Sequence, residues 1–309
     1  MNGIVVRSTG SWYDVLTDDG ERVACKVKGN FRLRGIRSTN PVAVGDRVRI
    51  VRDATSAFIT ELFDRRNFIV RKASNLSKQS HILAANVDLA LLVVTVARPA
   101  TSTTFVDRFL ACAEAYRVPA LLAFNKSDTL TADEHDAQTR LVQLYRRVGY
   151  DVCEISALQG RGLVELRAVI TGKTTLLAGN SGVGKSTLLN AFVPEANART
   201  ADISDVHQTG MHTTTYSELF PLPEGGGIID IPGIKGFGTF DIHPKEVAHY
   251  FRDIFHISRD CRFHNCTHTH EPGCAVQAAL ADGGLAASRY ASYLSMMDDQ
   301  EEGKYRAAY

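Results

Sequence analysis

No run of apolar residues in this 309-residue chain is long enough to span a bilayer. The opening residues, Met1-Asn2-Gly3-Ile4-Val5-Val6-Arg7, lack the basic start, longer apolar stretch and small-residue cleavage site of a secretory signal. Neither sign of charge dominates: the net charge is +1, so the whole-chain balance dictates no partner. These absences lead us to expect a cytoplasmic protein with no membrane partner. Cysteine is scarce, six in all, yet Cys261, Cys266 and Cys274 crowd into one stretch. In a reducing compartment such a cluster suggests a metal before a disulfide. What remains is ordinary for a globular chain with a sizeable core: 44% hydrophobic and 22% charged residues. The length suits about two domains of ~150 residues, or three smaller ones.

The strongest motif is Gly179-Asn180-Ser181-Gly182-Val183-Gly184-Lys185-Ser186, which fits G-x-x-x-x-G-K-S. Thr174 to Ala178 reads as a buried strand before it, and Thr187 to Phe192 as the opening of a helix after it. That setting is the one a phosphate-binding loop requires. Glycines let the backbone turn its N–H groups inward at phosphate oxygens, and the helix N-terminus adds its positive dipole end. Lys185 is then expected to reach the β- and γ-phosphates, and the Ser186 hydroxyl to hold Mg²⁺. A glycine-rich turn with a chance lysine is the bland alternative.

Upstream, Asp88 to Thr95 and Ala120 to Phe124 are continuous apolar runs, as in strands buried on both faces. Thr104 to Tyr116 lies between them as a helix, and Leu141, Leu144, Tyr145 and Val148 recur at helical spacing. Asp151 to Ile155 is a third strand, so this region reads as a parallel α/β sheet. The second strand ends in Asn125-Lys126-Ser127-Asp128 and the third in Ser156-Ala157. An aspartate can accept from both the ring N–H and the exocyclic amine of guanine, a pair that adenine does not offer. Asn125 can approach the other edge of the base, the Lys126 stem can lie along it, and a backbone N–H near Ser156-Ala157 can meet the guanine oxygen. Alone, the four residues fit a turn with a helix N-cap about as well. Beside a phosphate loop they favour guanine.

After the phosphate loop, a polar stretch ends in His212-Thr213-Thr214-Thr215. A threonine here can supply a second Mg²⁺ ligand and sense the γ-phosphate, with Thr214 favoured and Thr213 next. Gly227 to Gly233 reads as a strand ending in Asp230-Ile231-Pro232-Gly233. Asp230 would hold Mg²⁺ through water, and the Gly233 N–H would touch the γ-phosphate. Ile234 stands where many GTPases carry a water-orienting glutamine, and a hydrocarbon side chain does not orient water by hydrogen bonding. His212 is the nearest substitute, although a lone histidine is more often structural. GTPases run phosphate loop, switches, N-K-x-D, S-A; this chain runs N-K-S-D, S-A-L, phosphate loop, H-T-T-T, D-I-P-G. The order is a circular permutation.

The ends differ from the centre. Residues 1 to 65 hold about five short strand-like runs separated by turn signals such as Asp18-Asp19-Gly20, which fits a small barrel of OB type. Arg22, Lys26, Lys28, Arg32, Arg34, Arg37, Arg47, Arg49 and Arg52, with Phe31 among them, suit RNA contact; a solvated basic surface is the alternative. Near the other end, Cys261, Cys266, His268 and Cys274 form a Cys₃His set suited to one tetrahedral structural zinc, with His264 and His270 as rival ligands. Pro244 to His256, Ala275 to Ala281 and Leu285 to Gln300 read as helices. The expected architecture is therefore multidomain: an OB-fold β-barrel at 1–65, a circularly permuted α/β P-loop GTPase domain at 66–240, and an α-helical zinc domain at 241–309.

The permuted order, H-T-T-T, D-I-P-G and the Cys261-to-Val276 pattern C-R-F-x-x-C-T-H-x-x-E-P-G-C-A-V together resemble the ribosome small-subunit-dependent GTPase A family, over nearly the whole chain. The resemblance implies GTP hydrolysis with Mg²⁺, stimulated by the small ribosomal subunit during its late maturation, and contact with its rRNA. It implies Cys261, Cys266, His268 and Cys274 as zinc ligands and His212 as the catalytic histidine. Met211 stands where the family usually has arginine or a similar residue before that histidine, and Ser74 to Asn86 looks longer than the family's common form. Gly182 stands where potassium-dependent GTPases carry asparagine, so no specific potassium site is expected. The chain is expected to act as a monomer. The competing reading is an RNA-binding assembly factor whose nucleotide is structural; an ATPase or kinase is opposed by Asn125 and Asp128.

Overall fold

The computed structural model describes residues 1–27, 41–72, 80–196, 217–231 and 242–301. Strands β1 (Asn2–Ser8), β2 (Tyr13–Thr17), β3 (Arg22–Val27), β4 (Arg47–Arg52) and β5 (Ala57–Leu62) form the first unit. β4 shows why: in Arg-Val-Arg-Ile-Val-Arg, Val48 and Ile50 point inward while all three arginines face solvent. β1 pairs with both β2 and β4, and β3 pairs with β5, so the ladder closes into a barrel around Val5, Val15, Cys25, Val48, Ile50 and Ile59. Its outward arginines have acidic partners that a count of basic residues overlooks: Arg47 meets Asp18, Arg49 meets Glu61 and Arg52 meets Glu21. Lys28, Phe31, Arg32, Arg34 and Arg37 lie outside the described residues.

A hairpin of β6 (Phe68–Lys72) and β7 (Ser80–Ala85) follows, and it gives the end of the Ser74–Asn86 stretch a place. The Asn86 side chain donates to the Gly45 carbonyl of the barrel and accepts from the Arg66 N–H. A buried Arg65–Asp46 pair ties the same connection to the barrel.

The central sheet runs β10 (Asp151–Glu154), β9 (Ala120–Phe124), β8 (Leu89–Val94), β11 (Thr174–Ala178), β13 (Gly227–Asp230), β12 (Glu218–Pro221). All are parallel except β12. Period-two alternation splits its side chains between two cores. Leu92, Val94, Leu122 and Phe124 pack with α1 (Thr103–Ala115) and α2 (Ala132–Val148). Leu91, Val93, Leu121 and Ala123 pack with α3 (Leu163–Ile170) and α4 (Lys185–Phe192). β12 also meets β1, Arg7 opposite Glu218, so the barrel and the parallel sheet share one eleven-stranded ladder.

The end of the chain packs on the α1/α2 side. The helix expected over Pro244–His256 is instead a 3-10 turn, Pro244–Tyr250, and then α5 (Arg252–Ser258). Phe251 breaks it: its extended backbone delivers a fully buried ring into the core, and that burial outweighs helical continuity. Then come α6 (Ala275–Ala281) and α7 (Ala287–Glu301), where Tyr293, Met296 and Met297 are buried against the same core. Among the described residues, no helix is long and apolar enough to cross a membrane.

One polar group lies inside this packing. The fully buried Arg289 of α7 reaches Asp107 of α1 at 2.8 Å and Asp253 of α5 at 2.8 Å, and lies over the Phe251 ring. Tyr145 of α2 donates to Asp107 at 2.9 Å. Burial raises the Asp107 pKa, and the Arg289 charge opposes it. Removing one member strands the others without water. Arg289→Ala is therefore expected to cost about 3–5 kcal/mol in calorimetric or denaturant unfolding, whereas Arg49→Ala at the exposed barrel pair should cost under about 1 kcal/mol.

Candidate nucleotide and metal sites

Strand order places the motifs together. β11, β8, β9 and β10 are parallel neighbours, so the loops leaving their carboxyl ends share one edge of the sheet. The phosphate loop leaves β11, Asn125 follows β9, and Ser156 follows β10. Asp230 ends β13 opposite Leu177, beside the start of the phosphate loop.

Asn125 is 2% exposed and joins these loops. Its Nδ2 donates to the Val183 carbonyl of the phosphate loop at 2.8 Å. Its Oδ1 accepts from the Ala157 N–H at 2.9 Å. The side chain holds two loops to each other. Lys126 spans the rim as well, donating to the carbonyls of Gly182 at 2.7 Å and Arg98 at 2.6 Å. The Ser127 N–H bonds the Ile155 carbonyl, and Ser156 closes its own turn by accepting from the Gln159 N–H. A cleft of about 290 Å³ opens between these loops, lined by Asn125, Lys126, Asp128, Leu158, Thr187 and Arg98. Arg98 escaped the sequence reading. The signal was topological: β8 lies beside β11, so the loop after β8 must lie beside the phosphate loop.

Within the phosphate loop, Lys185 Nζ donates to the carbonyls of Gly179 and Asn180 at 2.7 and 2.8 Å. Burial pushes its pKa down, and burial pushes the Asp230 pKa up; each charge opposes the other's shift, as expected of facing groups. Gly184 caps α4 with φ 98°, and a Cβ there would sit 2.4 Å from Asn125 Nδ2. Ser181 and Ser186 are exposed. His212, Thr213, Thr214 and Gly233 lie outside the described residues, as do Met211 and Ile234.

The second cluster is Cys261, Cys266, His268 and Cys274, whose ligand atoms lie within 4.8 Å of one another. His268 Nδ1 is 3.6 Å from Sγ of both Cys261 and Cys274, and those two sulfurs are 3.9 Å apart. A tetrahedron built on metal–sulfur bonds of ~2.3 Å and metal–nitrogen bonds of ~2.0 Å has edges of about 3.8 and about 3.5 Å. The four groups therefore fit a tetrahedral metal ion, with His268 rather than His264 or His270 in the set. Its support comes from the next layer. Tyr290 and Gln277 donate to the His268 carbonyl, and Tyr293 donates to that of Thr267. Although burial pushes the Glu271 pKa up, hydrogen bonds from Thr267 and the neighbouring backbone hold it well below the usual carboxylate range.

The crowding at Gly184 yields a direct expectation. Gly184→Ala should displace Asn125 and strain the loop, weakening binding of a fluorescent GTP analogue by roughly tenfold or more in an equilibrium titration.

Comparison with known proteins agrees with this geometry. The family model described as RsgA GTPase matches residues 62–240, and that of the RsgA N-terminal domain matches residues 2–59. A Bacteroides fragilis protein named small ribosomal subunit biogenesis GTPase RsgA is 59% identical over 310 residues, covering 100% of both chains. A Porphyromonas gingivalis protein of the same name is 55% identical, again over 100% of both. Among solved structures, YjeQ from Thermotoga maritima superposes with a TM-score of 0.77 at 34% identity, covering 97% of this chain and 98% of that one. YloQ, described as a circularly permuted GTPase, superposes at 0.75 and 30% identity, covering 99% and 96%. Matching in its barrel, in its permuted nucleotide domain and along its full length, the chain belongs to the RsgA GTPase family.

Proposed function

We infer that this chain hydrolyses GTP as a factor in late maturation of the small ribosomal subunit, contacting its rRNA through the barrel and the metal-bearing helical end. The observation that carries the reading is Asn125, whose one amide holds the phosphate loop against the Ser156-Ala157 turn beside Asp128. The names of the full-length relatives support the subunit as partner. We divide the chain into 1–65, 66–240 and 241–309, a division supported by the family matches at 2–59 and 62–240. The protein is read as a cytoplasmic monomer.

In this reading Asp128 takes the two guanine donors, a backbone N–H near Ser156-Ala157 meets the guanine oxygen, and Lys185 neutralises the β- and γ-phosphates. Ser186 and Thr214 would hold Mg²⁺, with Asp230 reaching it through water. When bound, that ion offsets the charge that develops on the phosphates during transfer. Thr213 is the neighbouring alternative to Thr214, and the Gly233 N–H would meet the γ-phosphate. His212 orients the attacking water, because Ile234 has no hydrogen-bonding group.

The test is turnover measured with and without purified small subunits. Slow intrinsic hydrolysis and strong stimulation are expected; equal rates would favour an assembly factor whose nucleotide is structural. His212→Ala should remove most of the stimulated rate and leave nucleotide and subunit binding intact. Asp128→Asn should lose about 10- to 100-fold in GTP affinity and shift preference to xanthine nucleotides, measured by competition.

We assign zinc to the Cys₃His cluster because three thiolates and one imidazole in a closed tetrahedron suit that ion. Elemental analysis of reduced protein should give about one zinc per chain. Chelation should lower helical content and the unfolding temperature of the C-terminal segment, since the site's binding energy is folding energy there.

A further inference from the structure

Arg98 lies on the loop after β8, outside every motif that identifies the nucleotide site. It grips the guanine-reading turn from two directions. Its carbonyl accepts from Lys126 Nζ at 2.6 Å, and the same ammonium donates to Gly182 of the phosphate loop. Its guanidinium forms a fork on Glu134, at 2.7 and 2.6 Å, and donates to the Thr129 carbonyl at 2.8 Å. Thr129 directly follows Asp128, and its own N–H returns to the Lys126 carbonyl. Glu134 is already fixed, because it forms the capping box of α2 with Thr131. One side chain therefore fastens the 126–129 turn to the first turn of a helix, while its backbone fastens Lys126 beside the phosphate loop. Arg98 also lines the cleft itself, as Asp128 does.

We propose that Arg98 is a positioning residue for guanine recognition, holding the Asp128 turn in register so that its carboxylate meets the exocyclic amine of the base. The proposal rests on the GTP reading above. Its physical basis is preorganisation: a carboxylate held in place gains the full value of a second hydrogen bond, and a wandering one does not. Arginine suits the task because its planar fork engages a carboxylate at two points and still has a donor for a carbonyl. Lysine lacks that geometry. The surroundings are accordingly strongly polarised: hydrogen bonds from Arg98 and the Thr131 backbone pull the Glu134 pKa down to about 2.

Inosine triphosphate isolates the effect, because it differs from GTP only in lacking the exocyclic amine. Affinities for GTP, inosine triphosphate and ATP are measured by competition on the full chain, for the wild type, Arg98→Ala, Arg98→Lys and Glu134→Gln. The pair is partly exposed, so a modest change is expected: the wild-type preference for GTP over inosine triphosphate should fall about three- to tenfold in Arg98→Ala. Glu134→Gln should lose part of it, and Arg98→Lys should not restore it. Inosine triphosphate, which keeps the ring N–H contact to Asp128, should lose less affinity than GTP, and the unfolding temperature should change little. An unchanged preference in Arg98→Ala overturns the proposal, as does an equal loss of affinity for both nucleotides, which would mark a merely structural role. Should Arg98→Ala fold poorly, an unchanged preference in Glu134→Gln overturns it equally. A wild type that does not prefer GTP over ATP sinks the underlying reading instead, a result distinct from either.

Discussion

A single buried amide organises the nucleotide site. Asn125 has one donor group on Val183 and its acceptor on Ala157. Those residues are 58 and 32 positions away in sequence. Phosphate loop, N-K-S-D turn and S-A-L turn thus form one body rather than three flexible loops. A buried amide left unpaired costs about 1–3 kcal/mol, so separation of the loops is opposed at each end. Gly184 reflects the same constraint, since nothing larger fits beside the amide.

Permutation leaves this body intact because it depends on strand adjacency, not on chain order. β8, β9 and β10 precede the phosphate loop, yet β11 inserts between β8 and β13 in parallel register. What changes is the continuation of the chain. After Asp230 it runs into the C-terminal elements, which pack back on α1, the helix that follows the Arg98 loop. The Arg289 cluster fixes that return with charge inside a core otherwise filled by Phe251, Tyr293 and Met296.

The two sites were legible in the sequence because each motif is local and chemically dense. Gly179 to Ser186 lies within eight residues, and the four metal-set residues within fourteen. The strands of the central sheet read clearly because both faces are buried. Harder to read were features whose cause is distant. Arg289 sits in a polar-looking helix face, and only its partners on α1 and α5 explain its burial. Phe251 interrupts a sequence with good helical character because the core needs its ring. The basic residues of β4 read as a bare cationic face because their acidic partners lie on other strands and turns. Arg98 carried no motif at all, and its place follows only from the order of strands.

The shared ladder also decides where the sheet can misassociate. Barrel closure removes both edges of the first unit, and β12, one margin of the parallel sheet, meets β1. Among the described residues, that leaves β10 as the open margin of the parallel sheet. It is only four residues long, and exposed carboxylates stand at its ends, Asp151 and Glu154. A second strand laid along it would bring like charges together. Among the described residues, this margin of the parallel sheet thus carries negative charge, which discourages self-association along it.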